Sequence, residues 1–133
     1  MKASFLSVFF LSLSACTAIQ IEPGASRIIA SPNPAPASCK YLGQVFGHQG
    51  NAFTGGFTSN RNLEVGAMND LKNQASRLHA NYIQIITSRA GVTGSYSSNS
   101  NGYGSGSSEQ TNITNVGNAY LCPSESIGLS ASS

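Results

Sequence analysis

The sequence predicts an α+β fold in which one crossover helix packs on a small sheet of three or four strands. Two observations lead to this prediction. From Leu63 to Leu78, apolar residues recur every three or four positions, which is the period of one face of an α-helix. Short segments rich in β-branched and aromatic residues lie on both sides of this stretch and are bounded by glycine or proline. The 133 residues suffice for one such domain but not for two independent cores.

The predicted helix has one apolar and one polar face. Two alanines on the apolar face would permit close approach of the sheet. Asn60 or Asn62 is placed to cap the N-terminus, and Glu64 would lie in the first turn, where a negative charge suits the helix dipole. The apolar face consists of Leu63, Ala67, Leu71, Ala75 and Leu78.

Four segments have the composition of strands. The best of them, Asn81–Thr87, has apolar residues on both sides, so we expect it to lie in the centre of the sheet. The order strand, helix, strand predicts a right-handed parallel β-α-β unit around the helix. The last strand is expected to pair antiparallel with residues 83–87. The other three segments are 27–30, Tyr41–Gly47 and Asn112–Cys122.

The remaining segments are predicted to lack regular structure. Alternate prolines make residues 31–36 a stiff connector, and residues 50–60, with two adjacent glycines, are expected to form a loop. Residues 93–108 contain no charge and consist mainly of serine, glycine and asparagine. Such a segment buries too little apolar area to offset its ordering entropy, which predicts a mobile loop. Residues 124–133 are expected to be a disordered tail.

The first fifteen residues have the organisation of an export signal. Lys2 precedes the apolar run Phe5–Leu13, whose nine residues cover only about half of the roughly 20 that a helix needs to cross a bilayer. Leu13-Ser14-Ala15-Cys16 follows. This order resembles the bacterial lipobox, in which the cysteine receives a diacylglyceryl group and signal peptidase II cleaves in front of it. We predict a signal peptide at 1–15 and lipidation of Cys16; the alternative is an ordinary secretory leader with a chance cysteine nearby.

Lipidation of Cys16 would make a membrane the first partner of this chain, because two or three acyl chains hold a protein on a bilayer essentially permanently. Thr17 stands where an aspartate would favour retention in the inner membrane. The resemblance therefore implies the outer membrane, with the domain facing the periplasm or, alternatively, exposed at the cell surface. Residues 16–26 are short of apolar side chains, so we expect a lipidated tether there, followed by the folded domain at 27–123.

Cys39 and Cys122 are the cysteines that remain once Cys16 carries lipid. Disulfides form and persist outside the reducing cytosol, so we predict a bridge between them, with Cα atoms about 4.4 to 6.8 Å apart. The competing interpretation is a metal site in which both cysteines join His48 and His79. It is disfavoured because zinc sites normally contain a close ligand pair such as C-x-x-C, and the sequence has none.

Several motifs together resemble a known family. They are Cys39-x-x-Leu42-Gly43, Gly66-Ala67-x-Asn69-Asp70-Leu71-x-Asn73-Gln74-Ala75, Ala80-Asn81-Tyr82-Ile83 and Cys122-Pro123, with Gln110, Gly117 and Tyr120. They look like the YjeI-type bacterial lipoproteins, a family of unknown function, between Arg27 and Pro123.

More remotely, the layout is similar to the C-terminal domain of RcsF, an outer-membrane lipoprotein that senses envelope stress. Two features depart from these patterns. The chain has one cysteine pair where the RcsF domain has two bridges, so the resemblance does not carry stress sensing over. His79 stands where relatives have glycine at the helix end, and we expect it to keep the left-handed cap, which histidine tolerates better than most residues.

Composition and motifs limit the functions that this sequence can have. Charged residues make up 9% of the chain and the net charge is +2, which excludes the basic surface of a nucleic-acid-binding protein. Asp70 is the only acid in the polar group Asn69, Asp70, Asn73 and Gln74, so paired-carboxylate or triad catalysis lacks its partners. We expect the amides of this group to bond to backbone where the helix meets loops.

We therefore predict a non-enzymatic envelope lipoprotein without a cofactor, whose domain serves a structural role or binds another envelope protein or a cell-wall component. The alternatives are a surface-exposed lipoprotein that contacts host or neighbouring cells and, with less support, an envelope hydrolase.

Overall fold

Four strands and one helix form the domain in the computed structural model, which describes residues 17–51, 59–98, 100, 102 and 104–129. The helix packs on one face of the sheet, so the predicted α+β class is confirmed. Short 3-10 turns at Pro23–Ala25 and Ser124–Ile127 flank the main elements. In chain order these are β1 (Ile29–Ser31), β2 (Lys40–Gly50), α1 (Asn60–Arg77), β3 (Tyr82–Ser98) and β4 (Gly104–Leu121).

The strands lie in the order β1-β3-β4-β2. β3 pairs parallel with β1 and antiparallel with β4, which confirms both its interior position and the predicted pairing of the last strand. The predicted β-α-β unit is wrong in one respect: β2 and β3 run in the same direction but are not neighbours, because β4 lies between them. In this position the backbone of β4 finds hydrogen-bonding partners on both edges. Its small buried residues Gly117 and Ala119 also suit a strand beneath the helix.

The core lies between α1 and the sheet. Four members of the predicted apolar face, Leu63, Ala67, Leu71 and Ala75, are completely buried. The fifth, Leu78, is 39% exposed, because the helix ends at Arg77 and Leu78 already belongs to the turn that follows. From the strands, the core receives the buried side chains of Val45, Ile83 and Ala119.

The helix backbone passes very close to β2 at Gly47. Of the three glycines of β2, this is the one at which an added Cβ would meet helix backbone. A Cβ atom there would overlap the carbonyl oxygen of Ala67 and the backbone of Leu71. Gly47→Ala is therefore expected to push the helix away from the sheet and to lower the free energy of unfolding by about 1 to 3 kcal/mol. Urea denaturation measures this loss. Gly24→Ala, where a Cβ would meet only the hydroxyl of Ser76, is the matched control, and an equal loss in both variants would contradict the close approach.

The start of the helix differs from the prediction. Ser59, not Asn60 or Asn62, is the N-cap, and its hydroxyl accepts a hydrogen bond of 3.2 Å from the backbone N–H of Asn62. The helix begins at Asn60, so Glu64 lies beyond the first turn and does not serve the helix dipole as expected. The reason is that the serine hydroxyl reaches an N–H three residues ahead, which allows the helix to begin before the first apolar position.

His79 ends the helix in the expected left-handed conformation, with a φ of 63°. Its backbone N–H donates to the carbonyl of Ser76, and that of Ala80 donates to Ala75, which together form a Schellman motif. A left-handed conformation costs a residue with a Cβ about 1 to 2 kcal/mol and costs glycine almost nothing.

His79→Gly is accordingly expected to raise the free energy of unfolding by about 1 kcal/mol, measured by urea denaturation. His79→Ala keeps the Cβ and should bring no comparable gain. A destabilised glycine variant would show that the imidazole makes a contact worth more than the backbone strain.

The serine-rich segment at 93–108, predicted to be a loop, forms strand at 93–98 and 104–108, while Ser100 lies in a turn and Gly102 in a bend. β3 continues to Ser98 and β4 begins at Gly104, with paired residues from Val92–Gln110 to Ser98–Gly104. The loop prediction was wrong because amino-acid composition indicates only how much apolar side chain a segment can bury. A hairpin is held by hydrogen bonds between backbone groups, which every one of these residues possesses. The mobility of the segment stays a prediction.

The segments predicted to be irregular at the ends of the domain are partly ordered. Residues 124–127 form a 3-10 turn, and Leu129 donates its backbone N–H to Ser124, so the predicted disordered tail is wrong for 124–129. Residues 130–133, most of the predicted loop at 50–60, the signal peptide at 1–15 and Cys16 lie outside the described residues. In the described part of the chain, no helix is long and apolar enough to cross a membrane.

Candidate functional site

The N-terminal segment is bound to the domain instead of forming the predicted tether at 16–26. We call residues 17–28 the strap. Ala25 and Ile28 of the strap are buried in the main core, and Ile21 packs against it. This prediction failed because the apolar residues of the strap are spaced irregularly and match neither a helix nor a strand. Irregular spacing does not prevent a segment from packing when other elements supply its hydrogen-bonding partners.

Those partners come from the polar face of α1. Asn69 donates to the carbonyl of Ile19 at 2.8 Å, and Arg77 forms an ion pair with Glu22 at 2.9 Å. From β2, the side-chain oxygen of Gln49 accepts from the backbone N–H of Ile19 at 2.8 Å. The helix is thus held between the sheet on one side and the strap on the other.

Asn73 is the centre of this contact. It is 4% exposed, and its amide pairs with two backbone groups of the strap. Its Oδ1 accepts from the N–H of Glu22 at 2.8 Å, and its Nδ2 donates to the carbonyl of Gln20 at 2.9 Å. The expectation that amides of the polar group bond to backbone is therefore confirmed for Asn69 and Asn73, although the backbone lies some 50 residues away in sequence and not at the helix ends.

The other two members of the polar group, Asp70 and Gln74, form hydrogen bonds at the edge of the sheet. Asp70 accepts a hydrogen bond of 2.8 Å from the backbone N–H of His48, which lies on the outer edge strand β2. Gln74 donates to the other carboxylate oxygen of Asp70 at 3.4 Å. Asp70 thus satisfies an N–H that would otherwise be available to pair with another strand.

Cys39 and Cys122 are joined, as predicted, with Cα atoms 4.1 Å apart, slightly closer than the expected range. The bond connects the chain just before β2 to the chain just after β4. Asn81, which immediately precedes β3, supports it: its side chain donates to the carbonyl of Cys122 and accepts from the N–H of the same residue, both at 2.8 Å. This bond removes both cysteines from the alternative metal site with His48 and His79. In the described ranges, no three His, Cys, Asp or Glu side chains are grouped as metal ligands would be.

The face of the sheet opposite α1 has no helix on it in the described structure. Two cross-strand contacts identify its side chains: His48 Nδ1 lies 3.0 Å from Thr114 Oγ1, and the rings of Tyr41 and Tyr120 meet edge to face with centroids 5.6 Å apart. Because side chains alternate along a strand, the register places two further pairs between these contacts, Gln44 with Asn118 and Phe46 with Val116.

This uncovered face combines exposed aromatic side chains with polar ones, and Arg89, which pairs with Thr114, places one cation on it. Tyr41 is 55% exposed and Phe46 is 56% exposed, and no aspartate or glutamate belongs to the four pairs. Towards β1, the face is partly covered, because the hydroxyl of Tyr82 donates to the carbonyl of Asn33 in the proline-rich connector. The face was not predictable from the sequence, because both sides of β2 and β4 carry polar as well as apolar residues. Its only signal was the placement of Tyr41, Phe46 and Tyr120 within predicted strands.

A groove of about 370 Å³ lies beside the uncovered face, between the edge strand β2 and the end of α1. Its walls contain one cation and no carboxylate among the described residues. The lining residues are Gln44, Val45, Phe46, Gln74, Arg77 and Leu78.

Comparison with protein families matches residues 19–122 to DUF4156, a domain of unknown function. The matched range begins at Ile19, whose backbone bonds to Gln49 and Asn69, and ends at Cys122 of the disulfide. The strap from Ile19 onwards therefore lies within the family domain, and only Thr17 and Ala18 precede it. No curated protein and no solved structure matches the chain.

Proposed function

Since this chain belongs to the DUF4156 family, a domain of unknown function, we propose its role from its own surfaces: it is a lipid-anchored protein of the bacterial envelope whose domain binds an envelope protein or a cell-wall component without catalysis. The resemblance to the YjeI-type lipoproteins, and remotely to the RcsF domain, supports this proposal. The disulfide also supports it, because such bonds persist in oxidising compartments such as the periplasm.

The observation that carries the binding role is the uncovered sheet face. Exposed aromatic side chains flanked by amides favour contact with a partner, because a tyrosine ring offers apolar area together with a polar end. Because the four β2–β4 pairs contain no carboxylate and Arg89 lies beside Thr114, the face favours a neutral or weakly acidic partner surface over a basic one. Tyr41, Phe46 and Tyr120 would be the main contacts, and Gln44 and Asn118 would supply hydrogen bonds.

Site-specific crosslinking in intact cells tests this role. A photoreactive benzoylphenylalanine at Phe46 should yield a discrete crosslinked species. The same group at Val65, a 43% exposed apolar residue of α1, is the matched control. Equal crosslinking from both positions, or none from Phe46, would show that the sheet face is not the binding surface.

Protease treatment of intact cells distinguishes a periplasmic domain, which is protected, from the alternative surface-exposed domain, which is cut.

The lipid anchor makes a separate prediction. Cys16→Ser is expected to move the protein from the membrane fraction to the soluble fraction or to stall its processing, because the acyl acceptor is lost. Mass spectrometry of the N-terminal peptide should show acyl groups on Cys16 in the wild type. Thr17→Ser, which preserves a hydroxyl beside the cysteine, should fractionate like wild type. A Cys16→Ser protein that fractionates and migrates as wild type does would contradict the lipoprotein assignment.

A further inference from the structure

We propose that a pocket on the helix side of the sheet binds an N-acetylated amino sugar. The pocket has a volume of about 360 Å³ and lies between α1 and β3, with β4 as its floor. It is on the opposite side of the sheet from the uncovered face, so the inference does not depend on the binding role proposed for that face. We call it the amide pocket, defined by Glu64 and Met68 of α1, Ser88 of β3, and Gln110, Ile113 and Asn115 of β4.

The amide pocket exists because α1 does not cover the whole sheet. In the described structure, the helix packs against β2 and β4 and makes little contact with β3. Ser88 pairs with Asn115 across the β3–β4 ladder, and side chains opposite each other point to the same side of a sheet. Asn115 shares its side with Ile113, which is buried in one cluster with Leu63 of α1. Ser88 therefore faces the helix across an open pocket.

Gln110 contributes a buried donor that the described protein leaves unused. Its side-chain Nε2 is buried and has no hydrogen-bonding partner among the described residues. Such groups are rare in folded proteins, because a buried donor without a partner costs stability. An amide nitrogen can only donate, so a ligand that completes this site has to present an acceptor.

Asn115 is a second buried amide without a partner. Its side chain is 3% exposed and makes no hydrogen bond within the described part of the chain. Asn73, which is 4% exposed, shows the usual situation, since its amide pairs with two backbone groups of the strap. The amide of Asn115 offers a ligand in the pocket both a donor and an acceptor.

The floor of the pocket has the chemistry that an acetamido group requires. The carbonyl oxygen of such a group can accept from Gln110 Nε2, and its N–H can donate to Asn115 Oδ1. Met68 and Ile113 supply apolar surface for its methyl group. One acetamido group thus answers the unpaired donor, the unpaired amide and the apolar lining together.

The rim of the pocket extends the match to a sugar ring. Glu64 and Ser88 are exposed and line the pocket. A carboxylate and a hydroxyl are suitable partners for sugar hydroxyls, and the negative charge of Glu64 disfavours an anionic ligand. With two amides, a carboxylate and a hydroxyl in its lining, the pocket is too polar for a lipid chain. An uncharged sugar that carries an acetamido group satisfies each of these groups.

NMR titration of the mature chain with Cys16→Ser tests the proposal. Methyl N-acetyl-β-glucosaminide should shift the side-chain amide signals of Gln110 and Asn115 in a saturable way. The side-chain amides of Gln44 and Asn118, which lie on the uncovered face, should not shift. Shifts confined to Gln44 and Asn118 would place the sugar on the uncovered face, and the absence of a saturable shift would exclude the sugar. Either result would overturn the proposal.

Three further ligands test the chemical class. Methyl glucoside, which has a hydroxyl in place of the acetamido group, should bind at least about ten-fold more weakly. Glucosamine replaces the acetamido group by an ammonium group, and equal or tighter binding of it would mean that Glu64, not the amides, selects the ligand. N-acetylalanine methylamide presents an acetamido group without a sugar ring. If it binds as tightly as the sugar, the pocket belongs to a peptide and the amino-sugar assignment is wrong.

Variants of the two amides separate a ligand role from a structural one. Asn115→Leu and Gln110→Met should each weaken binding of the sugar at least about ten-fold. The midpoint of urea denaturation should stay the same or rise, because each change removes a buried polar group that has no partner. Asn118→Leu, on the same strand but on the uncovered face, is the matched control and should bind like the parent. A lowered midpoint in both amide variants would show that these amides already bond within the protein, which would overturn the inference.

Discussion

Replacing Cys39 and Cys122 together by alanine is expected to lower the free energy of unfolding by about 4 to 5 kcal/mol. The bond joins residues 83 positions apart, and cross-linking a loop of this length removes much of the entropy of the unfolded chain. A small domain has only about 5 to 15 kcal/mol of stability in total, so this loss would remove at least about a quarter of it.

Urea denaturation of the mature chain with Cys16→Ser as the common background measures this effect. The parent treated with a reductant should behave like the double-alanine variant, since both lack the same cross-link. A loss below about 1 kcal/mol would mean that the ends of β2 and β4 are held together without the bond. Asn81 is the residue that would then be responsible, because its side chain pairs with both backbone groups of Cys122.

Asn73→Leu is expected to release the strap and to cost about 2 to 4 kcal/mol. The change preserves the approximate size of the side chain but leaves the N–H of Glu22 and the carbonyl of Gln20 without their buried partner. The cost is limited because a released strap can satisfy both groups with water. Loss of Ala25 and Ile28 from the core would add to it.

Hydrogen exchange separates release of the strap from general destabilisation. In Asn73→Leu, the amides of Ile19 and Glu22 should exchange at least 100-fold faster while those of β3 and β4 stay protected. Lys72→Leu, one position away on the same helix, is the control and should leave the strap amides protected. Uniform acceleration across the sheet would instead show that the strap and the sheet unfold as one unit.

The polar group of α1 was identified correctly from the sequence, but the segments to which its side chains bond were not. Asn69, Asp70, Asn73 and Gln74 stand out in the sequence because four hydrogen-bonding side chains lie within two turns. The amides were expected to bond to backbone, and this is confirmed for Asn69 and Asn73, whereas Gln74 donates to the side chain of Asp70. Which backbone they bind was not predictable, because the strap lies some 50 residues away and its own sequence contains no periodic signal.

By itself, the sequence determined the local features of this protein: the helix, the positions of the main strands and the pairing of Cys39 with Cys122. These depend on periodicity, residue type and the number of available cysteines, all of which act over short distances or by elimination. The left-handed turn at His79 was expected only from the resemblance to relatives with glycine at that position. The tertiary structure alone decided that β4 lies between β2 and β3, that the strap docks on Asn73 and that residues 93–98 continue a strand. Each of these rests on backbone hydrogen bonds between distant segments, and because every residue carries the same backbone groups, side-chain patterns do not encode which segments pair.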